Sequence, residues 1–140
     1  MLYRQFGINY ISFNDDIFTL RMNRVIEICR EIVKRNINIQ WNCATRGDFV
    51  RKDMLIWMKR AGCQGIYFGI ESGSKKILQN IKKDTSIDQI INAYKLCKEV
   101  GIIAGMGIMI GNPGENKETV KETINLMNKI NLESDPGVYN

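Results

Sequence analysis

Four groups of polar residues follow apolar stretches of the sequence that are typical of strands. They are Asn14, Asp15 and Asp16; Arg46 and Asp48; Glu71, Ser72 and Ser74; and Gly111, Asn112, Gly114 and Glu115. Carboxylates in such positions can receive an ammonium group or act as acid and base, and hydroxyls beside glycine leave room for the polar edge of a ligand. If the groups meet in space, they predict a ligand site rather than four turns.

Each group also has a simpler interpretation. Glu71 follows an apolar run and is costly to bury without a partner or ligand, although a solvated loop glutamate would avoid that cost. Asp15 and Asp16 could cap the following helix, and their adjacent side chains should diverge so that one faces the site. Arg46 could simply pair with Asp48. These alternatives stay open on the sequence alone.

The elements that must position these residues alternate along the chain. Strands are predicted at about 7–13, 37–43, 65–70 and 102–110, and each is followed by a helical pattern. Strands alternating with helices favour an α/β fold with a parallel sheet, and ligands then lie at the carboxyl ends of the strands. A barrel predicts that sequential strands are neighbours throughout. A doubly wound sheet predicts that the strand order reverses midway.

Two helices carry specific signals. The segment from Ser86 to Gln89 fits a capping box, and Gly101 suits the end of the helix that it starts. The last helix, about Asn116 to Ile130, has Val120, Ile124, Met127 and Ile130 at helical spacing, which predicts that this face packs on the core.

Composition limits the function classes. The formal charge is +5, but the lysines and arginines are interleaved with acids along predicted helices, which argues against a nucleic-acid partner. The longest apolar run, 102–110, is far shorter than the roughly 20 residues of a membrane helix. No secretory signal is recognisable, so the cytoplasm is the expected location. No phosphate-binding GxGxxG or Walker motif is present.

The sequence contains few of the residues that commonly bind metal ions in proteins. The chain has no histidine, and its four cysteines, Cys29, Cys43, Cys63 and Cys97, form no CxxC or comparable pair. In a reducing compartment such cysteines are expected to be buried thiols. No metal site is therefore predicted within the sequence, and no catalytic residue can be assigned.

Five motifs in order resemble the radical S-adenosylmethionine (SAM) superfamily, and most closely its branch in which a cobalamin-binding domain often precedes the radical domain. They are the segment from Ile11 to Leu20, Trp41 to Arg46 with Asp48, Leu55 to Cys63, Gly69 to Ser74, and Met109 to Glu115. The resemblance implies a partial (β/α) barrel, in which the four βα units here are the second to fifth of six. It also implies SAM and a [4Fe-4S] cluster as cofactors, cobalamin as a further cofactor in this branch, and reductive cleavage of SAM to a 5'-deoxyadenosyl radical or support of methyl transfer.

The resemblance assigns cofactor-binding positions. Asn14, Asp15 and Asp16 lie where the family contacts the methionine amino group, and Arg46 lies at the next strand tip. Glu71 and Ser72 match the position that addresses the ribose or the amino acid part of SAM, and Lys83 matches a basic residue near its carboxylate. Ile110, Gly111 and Pro113 match the strand tip beside the adenine.

Two departures from the family pattern qualify this assignment. Asn14, Asp15 and Asp16 replace the usual glycine-glycine-glutamate, and the CxxxCxxC loop that holds the cluster is absent. We therefore expect an incomplete radical SAM core, 1–140, whose partners are the N-terminal and C-terminal parts of a longer enzyme. We expect this chain alone neither to bind a cluster nor to cleave SAM. The alternative is a non-catalytic α/β module that binds a nucleotide or serves in assembly.

Overall fold

Strands and helices alternate along the chain as predicted. The computed structural model describes residues 5–133, and their side chains as far as residue 130. Within them the strands are β1 (Tyr10–Phe13), β2 (Gln40–Thr45), β3 (Cys63–Glu71) and β4 (Ile103–Ile108). The helices are α1 (Met22–Lys34), α2 (Lys52–Arg60), α3 (Lys75–Asn80), α4 (Ile87–Val100) and α5 (Lys117–Glu133), with short 3-10 helices at Phe18–Leu20 and Gly47–Phe49.

All four strands form one parallel sheet in the order β1, β2, β3, β4. Sequential strands are therefore neighbours throughout the described residues, as a barrel requires. The strand order does not reverse, so the doubly wound alternative is wrong. Because the strands are parallel, their carboxyl ends lie along one edge of the sheet.

The strand boundaries differ from the predicted ones for local reasons. Strand β1 begins at Tyr10 rather than at residue 7, because Gly7 has a left-handed φ of +64°. Strand β2 begins at Gln40 rather than at residue 37, because the amide of Ile37 still donates to the carbonyl of Ile32 in α1. Strand β3 runs to Glu71, which is therefore the last residue of the strand rather than part of a loop.

One face of the sheet carries the core. From β2 it contributes Trp41 and Cys43, which pack under the helices with Met54, Leu55 and Met58. The ring centroids of Phe13, Phe18 and Trp41 lie 4.8 to 5.5 Å apart, and the indole nitrogen of Trp41 donates to the carbonyl of Ala61 at 2.8 Å. Aromatic pairs at such separations stabilise beyond their buried area.

The other face of the sheet is not covered by any described helix. Because side chains alternate along a strand, this face carries the residues that alternate with the core-facing ones, and most of them are polar or small. They are Tyr10 and Ser12 on β1; Gln40, Asn42 and Ala44 on β2; Gly65, Tyr67 and Gly69 on β3; and Ile103, Gly105 and Gly107 on β4.

The buried face of helix α5 matches the predicted one at Ile130 but not at Ile124. Its buried side chains are Thr119, Thr123, Leu126 and Ile130, whereas Ile124 is 50% exposed. The prediction of Ile124 as a core residue was wrong, because two threonines that hydrogen-bond to main chain pack inward instead. The capping box at Ser86 and Gln89 and the left-handed Gly101 are both present as predicted. No described helix is long and apolar enough to cross a membrane.

Candidate functional site

An open groove of about 570 Å³ lies at the carboxyl ends of β1, β2 and β3. The residues that line it include Ser12, Asn14, Asp15, Asp16, Asn42, Arg46, Tyr67, Gly69, Glu71 and Lys83. Polar groups from three strands therefore share one groove, as the sequence predicted. Its volume falls within the range of small-molecule sites.

Glu71 is held in an unusual main-chain conformation at the tip of β3. Its φ is +66°, and the amide of Ser72 donates to the carbonyl of Ile70 at 2.9 Å, which closes a three-residue turn around it. Its own carbonyl accepts from the amide of Met109 at 2.9 Å. Left-handed φ values are costly for residues other than glycine and often mark functional positions. The turn directs the Glu71 carboxylate back over the sheet toward Gly69.

The Glu71 carboxylate pairs with Lys83, which follows α3. The Nζ to Oε1 distance is 3.0 Å, and the two side chains are only 22% and 18% exposed for Glu71 and Lys83, respectively. Gly69 lies beneath the pair, since a Cβ there would stand 2.6 Å from Oε1 of Glu71 and 3.4 Å from Nζ of Lys83. The glycine thus makes the space in which the two charges meet. A solvated loop glutamate does not describe this residue.

Ser72 does not line the groove. It is fully buried, and its hydroxyl lies 3.2 Å from the Thr123 hydroxyl and accepts from the amide of Ser74 at 3.1 Å. The amide of Gly73 donates to the same Thr123 hydroxyl at 2.9 Å. A Cβ on Gly73 would stand 2.6 Å from the Cα of Thr123. The expected room for a ligand at Gly73 is therefore occupied by α5, and Ser72 holds the loop after Glu71.

The tip of β1 places its three polar residues in the groove. Asp15 accepts from Arg24 of α1 at 3.2 Å, and both side chains are about half exposed. Neither α1 nor the 3-10 helix before it has a side-chain cap hydrogen bond, so the capping interpretation of Asp15 and Asp16 is not supported. Asn14 lies within 3.5 Å of the Ser12 hydroxyl.

Arg46 lines the groove and pairs with Asp48, as the simpler interpretation anticipated. Its Nε and Nη2 donate to the two carboxylate oxygens at 3.0 and 2.9 Å, and Thr85 donates to the same carboxylate at 3.3 Å. Burial acts to raise the pKa of Asp48, but the hydrogen bonds and the charge of Arg46 outweigh it and hold the pKa below its ordinary value. Arg46 therefore reaches the groove as part of a neutralised pair.

The tip of β4 lies outside the lining of this groove. Ile110 is 72% exposed, Gly111 has a φ of +91°, and the carbonyl of Pro113 accepts from Asn80 at 2.9 Å. The structure thus brings Asn14, Asp15, Asp16, Arg46, Glu71 and Lys83 into one groove, and leaves Ser72, Ile110, Gly111 and Pro113 out of its lining.

Sequence reasoning missed Ser12, Asn42 and Tyr67, which also face the groove. The signal was the period-two alternation along β1, β2 and β3, in which these residues fall between buried ones.

The described residues do not fit an iron-sulfur cluster. Among them, no group of three or more His, Cys, Asp or Glu side chains is arranged to hold a metal ion. Burial raises the pKa of Cys29 and of Cys97 to about 12, with a smaller contribution from the nearby Cys63. A hydrogen-bonded contact with Cys43, together with burial, also raises the pKa of Cys63. Since cluster ligands are thiolates, these core cysteines are not the ligand set.

Curated relatives match along most of the chain. An uncharacterized methyltransferase of Pyrococcus horikoshii is 36% identical over 133 residues, which are 95% of this chain and 29% of that protein. The anaerobic magnesium-protoporphyrin IX monomethyl ester cyclase of Rubrivivax gelatinosus is 29% identical over 125 residues, which are 88% of this chain and 22% of that protein. The chain therefore spans less than a third of the length of either relative.

Solved structures share the fold. The cobalamin-dependent SAM radical enzyme OxsB superimposes with a TM-score of 0.79 at 26% identity, over 89% of this chain and 20% of that one. The radical SAM methyltransferase TsrM of Kitasatospora setae, solved with cobalamin and a [4Fe-4S] cluster, reaches a TM-score of 0.82 at 23% identity, over 93% of this chain and 27% of that one. This second likeness concerns the fold alone. Both support the partial (β/α) barrel architecture.

The radical SAM superfamily model matches residues 2–127, which is nearly the whole chain. Members of this superfamily use SAM and a [4Fe-4S] cluster. The parallel sheet, the polar strand tips and the family match agree, and the chain belongs to the radical S-adenosylmethionine superfamily.

Proposed function

We propose that the groove at the strand tips binds SAM and that the chain is the SAM-binding part of a longer radical SAM enzyme. The observation that carries this proposal is the ion pair of Glu71 and Lys83, which is mostly buried yet lines an open groove. A desolvated ion pair is weak support for stability. A ligand that carries both an ammonium and a carboxylate group, as SAM does, can exploit both charges.

The other tip residues supply complementary chemistry. The carboxylates of Asp15 and Asp16 suit the ammonium group of SAM, and Asn14 can accept or donate beside them. Lys83 suits its carboxylate. Arg46, already neutralised by Asp48, suits hydrogen bonding to a neutral part such as the ribose.

The other predicted contacts with SAM rest on other observations. Ile110, Gly111 and Pro113 are assigned to the adenine by their place at the tip of β4, where Ile110 offers an exposed apolar side chain. Ser72 contributes by fixing the loop that follows Glu71, through its contact with Thr123, rather than by touching the ligand.

The whole protein's activity belongs to the proposal as well. The cluster, when bound, supplies the electron for reductive cleavage of SAM, and we assign its ligands to parts of the parent enzyme outside residues 5–133. Those N-terminal and C-terminal parts are its expected partners, because the chain spans only 29% and 22% of two relatives. Generation of a 5'-deoxyadenosyl radical or support of methyl transfer follows from the family and from relatives named as methyltransferases.

The proposal also covers cobalamin as a cofactor and the cellular location of the protein. We include cobalamin as a cofactor of the parent enzyme, because OxsB is described as cobalamin-dependent and has been solved with aqua-cobalamin and SAM bound. We place the protein in the cytoplasm, because all four cysteines are free thiols in the structure.

Titration of the ¹⁵N-labelled chain with SAM tests the central claim. We expect SAM to shift the amide signals of Asn14 to Asp16, Glu71 and Lys83 and to leave those of α2 unchanged. Glu71→Gln should weaken SAM binding by about tenfold or more, because a hydrogen bond to a charged group is lost. The matched control is Glu99→Gln, whose carboxylate pairs with Lys52 on the surface at 2.7 Å. Binding that is absent, or equal in both variants, would instead support the non-catalytic module.

A further inference from the structure

Two exposed arginines stack on one tryptophan where α1 packs beside α2. The guanidinium carbon of Arg30 lies 5.1 Å from the centroid of the Trp57 ring, and that of Arg60 lies 5.3 Å from it. Arg30 belongs to α1, whereas Trp57 and Arg60 belong to α2. Cations within about 6 Å of an indole centroid are attracted by its π electrons. Because Trp57 packs partly against the core, both guanidinium groups are supported by a fixed ring.

Neither guanidinium group is neutralised. Among the described side chains, Arg30 and Arg60 have no ion pair and no hydrogen bond. The carboxylate of Glu31 on α1 is already shared by Lys34 and Arg35, at 3.7 and 2.8 Å. Because Arg30 and Arg60 stand beside one ring, their like charges lie about 10 Å apart or less, within the Debye length of 0.1 M salt. The two charges therefore form a positive centre that an anion would stabilise.

The two arginines are restricted before they bind anything. A guanidinium group that stacks on a ring still has N–H groups free for a carboxylate, which it can bind through two parallel hydrogen bonds. Stacking limits the side-chain conformations in advance, so less conformational entropy is lost on binding. Tryptophan and arginine are also enriched among the residues that dominate the affinity of protein–protein contacts. The arrangement therefore suits the carboxylates of a protein partner.

Apolar side chains flank the arginines. Val33 follows Arg30 by three residues and Ile56 precedes Arg60 by four, so each pair shares one face of its helix. Val33 is 41% exposed and Ile56 is 37% exposed. Apolar and charged groups mixed in this way are typical of proteins that associate reversibly, whereas permanent contacts are more apolar. The Arg–Trp–Arg patch, which consists of Arg30, Val33, Ile56, Trp57 and Arg60, is separate from the SAM groove, because none of these residues lines that groove.

We propose that the Arg–Trp–Arg patch docks an acidic segment of a separate protein, whose glutamate or aspartate carboxylates bind Arg30 and Arg60. Apolar side chains beside those carboxylates contact Val33 and Ile56. Nucleic acid fits less well, because its charged phosphates would lie against these two apolar side chains. The inference goes beyond the proposed function and does not depend on SAM binding, which is measured at the strand tips.

Two capped hexapeptides test the proposal, one that alternates glutamate with leucine and one with glutamine in place of each glutamate. In titrations of the ¹⁵N-labelled chain, we expect the glutamate peptide to shift the Trp57 indole signal and the amide signals of Val33 and Ile56. It should bind at least about threefold more tightly than the glutamine peptide, the scale of one or two exposed ion pairs. The Trp41 indole signal is the internal control, because that side chain is buried. Equal affinity for the two peptides, or no shift at millimolar peptide, would overturn the proposal.

Variants separate the patch from the net charge of the chain. Arg30→Gln and Arg60→Gln should each weaken binding of the glutamate peptide by about threefold and leave that of the glutamine peptide within about twofold of wild type. The matched control is Arg35→Gln, which removes a charge that is already paired with Glu31 at 2.8 Å and should change either affinity by less than about twofold. Equal losses in all three variants would mean that net charge alone attracts the peptide, which would contradict the proposal. Circular dichroism of each variant establishes that it is folded.

Three measurements distinguish a separate acidic protein from other occupants of the patch. An oligothymidylate that binds there more tightly than the glutamate peptide would assign the patch to nucleic acid. Shifts of the same signals when the chain alone is diluted would assign it to a second copy. In the longer enzyme proposed above, labelled with fluorotryptophan, the Trp57 signal should still respond to the glutamate peptide, and no response would mean that another part of the same chain covers the patch. Each of these three results would overturn the proposal.

Discussion

At the residue scale, Glu71 combines an unfavourable main-chain conformation with a charged side chain. Between residues 5 and 133, three residues other than glycine have a positive φ, and they are Asn36, Glu71 and Lys82. Asparagine tolerates this conformation, whereas glutamate and lysine lose about 1 kcal/mol or more in it. At Lys82 this conformation ends α3, where the amides of Lys82 and Lys83 donate to the carbonyls of Gln79 and Leu78. At Glu71 it directs a carboxylate into the groove.

Substitution by asparagine should separate stability from binding at these two positions. Lys82→Asn should raise the free energy of unfolding by about 0.5 to 1 kcal/mol, because the left-handed conformation is better tolerated. Glu71→Asn should leave it within about 1 kcal/mol of wild type, because relief of strain offsets the lost pair with Lys83. Only Glu71→Asn should weaken SAM binding.

Urea unfolding and the SAM titration measure these effects, and Lys82→Asn is the matched control. A loss of more than about 2 kcal/mol in Glu71→Asn would mean that the Lys83 pair outweighs the strain.

Residue types predicted part of this site and not all of it. The cost of burying a charge drew attention to Glu71, and the structure shows Lys83 as the partner that reduces this cost. Ser72 was expected at the ligand because hydroxyls suit polar ligands, yet it bonds toward Thr123. A serine hydroxyl can hydrogen-bond equally well to a ligand or to the protein itself, so the residue type alone does not show which of the two Ser72 contacts.

At the element scale, α5 and the β3 tip are held together through close main-chain contact. Gly73 permits this approach, and the Thr123 hydroxyl binds both its amide and the Ser72 hydroxyl. The helix that follows β4 therefore fixes the loop after β3. The sequence pattern favoured Ile124 for the inner face, because helical periodicity is judged from apolar residues alone. It gives no sign that a threonine such as Thr123 faces inward to hydrogen-bond with buried main-chain groups.

Gly73→Ala should separate α5 from the sheet. The added methyl group would meet main-chain atoms of Thr123 and Glu122 at 2.6 and 2.8 Å, so it cannot be accommodated by a side-chain rotation. We expect the free energy of unfolding to fall by about 1 to 3 kcal/mol, as in overpacked cores. Hydrogen exchange at Ser74 should accelerate.

Gly65→Ala is the control for this prediction. Its Cβ would have its nearest neighbour at 3.6 Å, which is ordinary contact, so we expect a change below about 1 kcal/mol. Equal losses in the two variants would show that α5 does not depend on a glycine at this contact.

At the scale of the whole molecule, the four cysteines belong to the core, and Cys43 also lines the groove. All four are buried and free, on α1, β2, β3 and α4. The alternation of strands and helices was sufficient to predict the parallel sheet, whereas the strand order followed from the family resemblance. It could not locate the cysteines relative to one another, because that depends on packing between distant elements.

Anaerobic reconstitution with iron and sulfide should leave this chain without a stoichiometric [4Fe-4S] cluster. All four thiols are buried, and burial raises the pKa values of Cys29, Cys63 and Cys97 above the ordinary range, which disfavours the thiolates that a cluster needs. Absorption and electron paramagnetic resonance spectroscopy measure the result. Unfolded chain in urea is the control for thiol reactivity, and a full cluster signal from the folded chain would contradict the prediction.

The period-two alternation of the strands has an evolutionary consequence. Trp41 and Cys43 face the helices, whereas Asn42 between them faces the open side. A mutation at Tyr10, Asn42 or Tyr67 therefore changes the open face without cutting into the core. Proteins built on this sheet can therefore vary on the open face while they keep the same core.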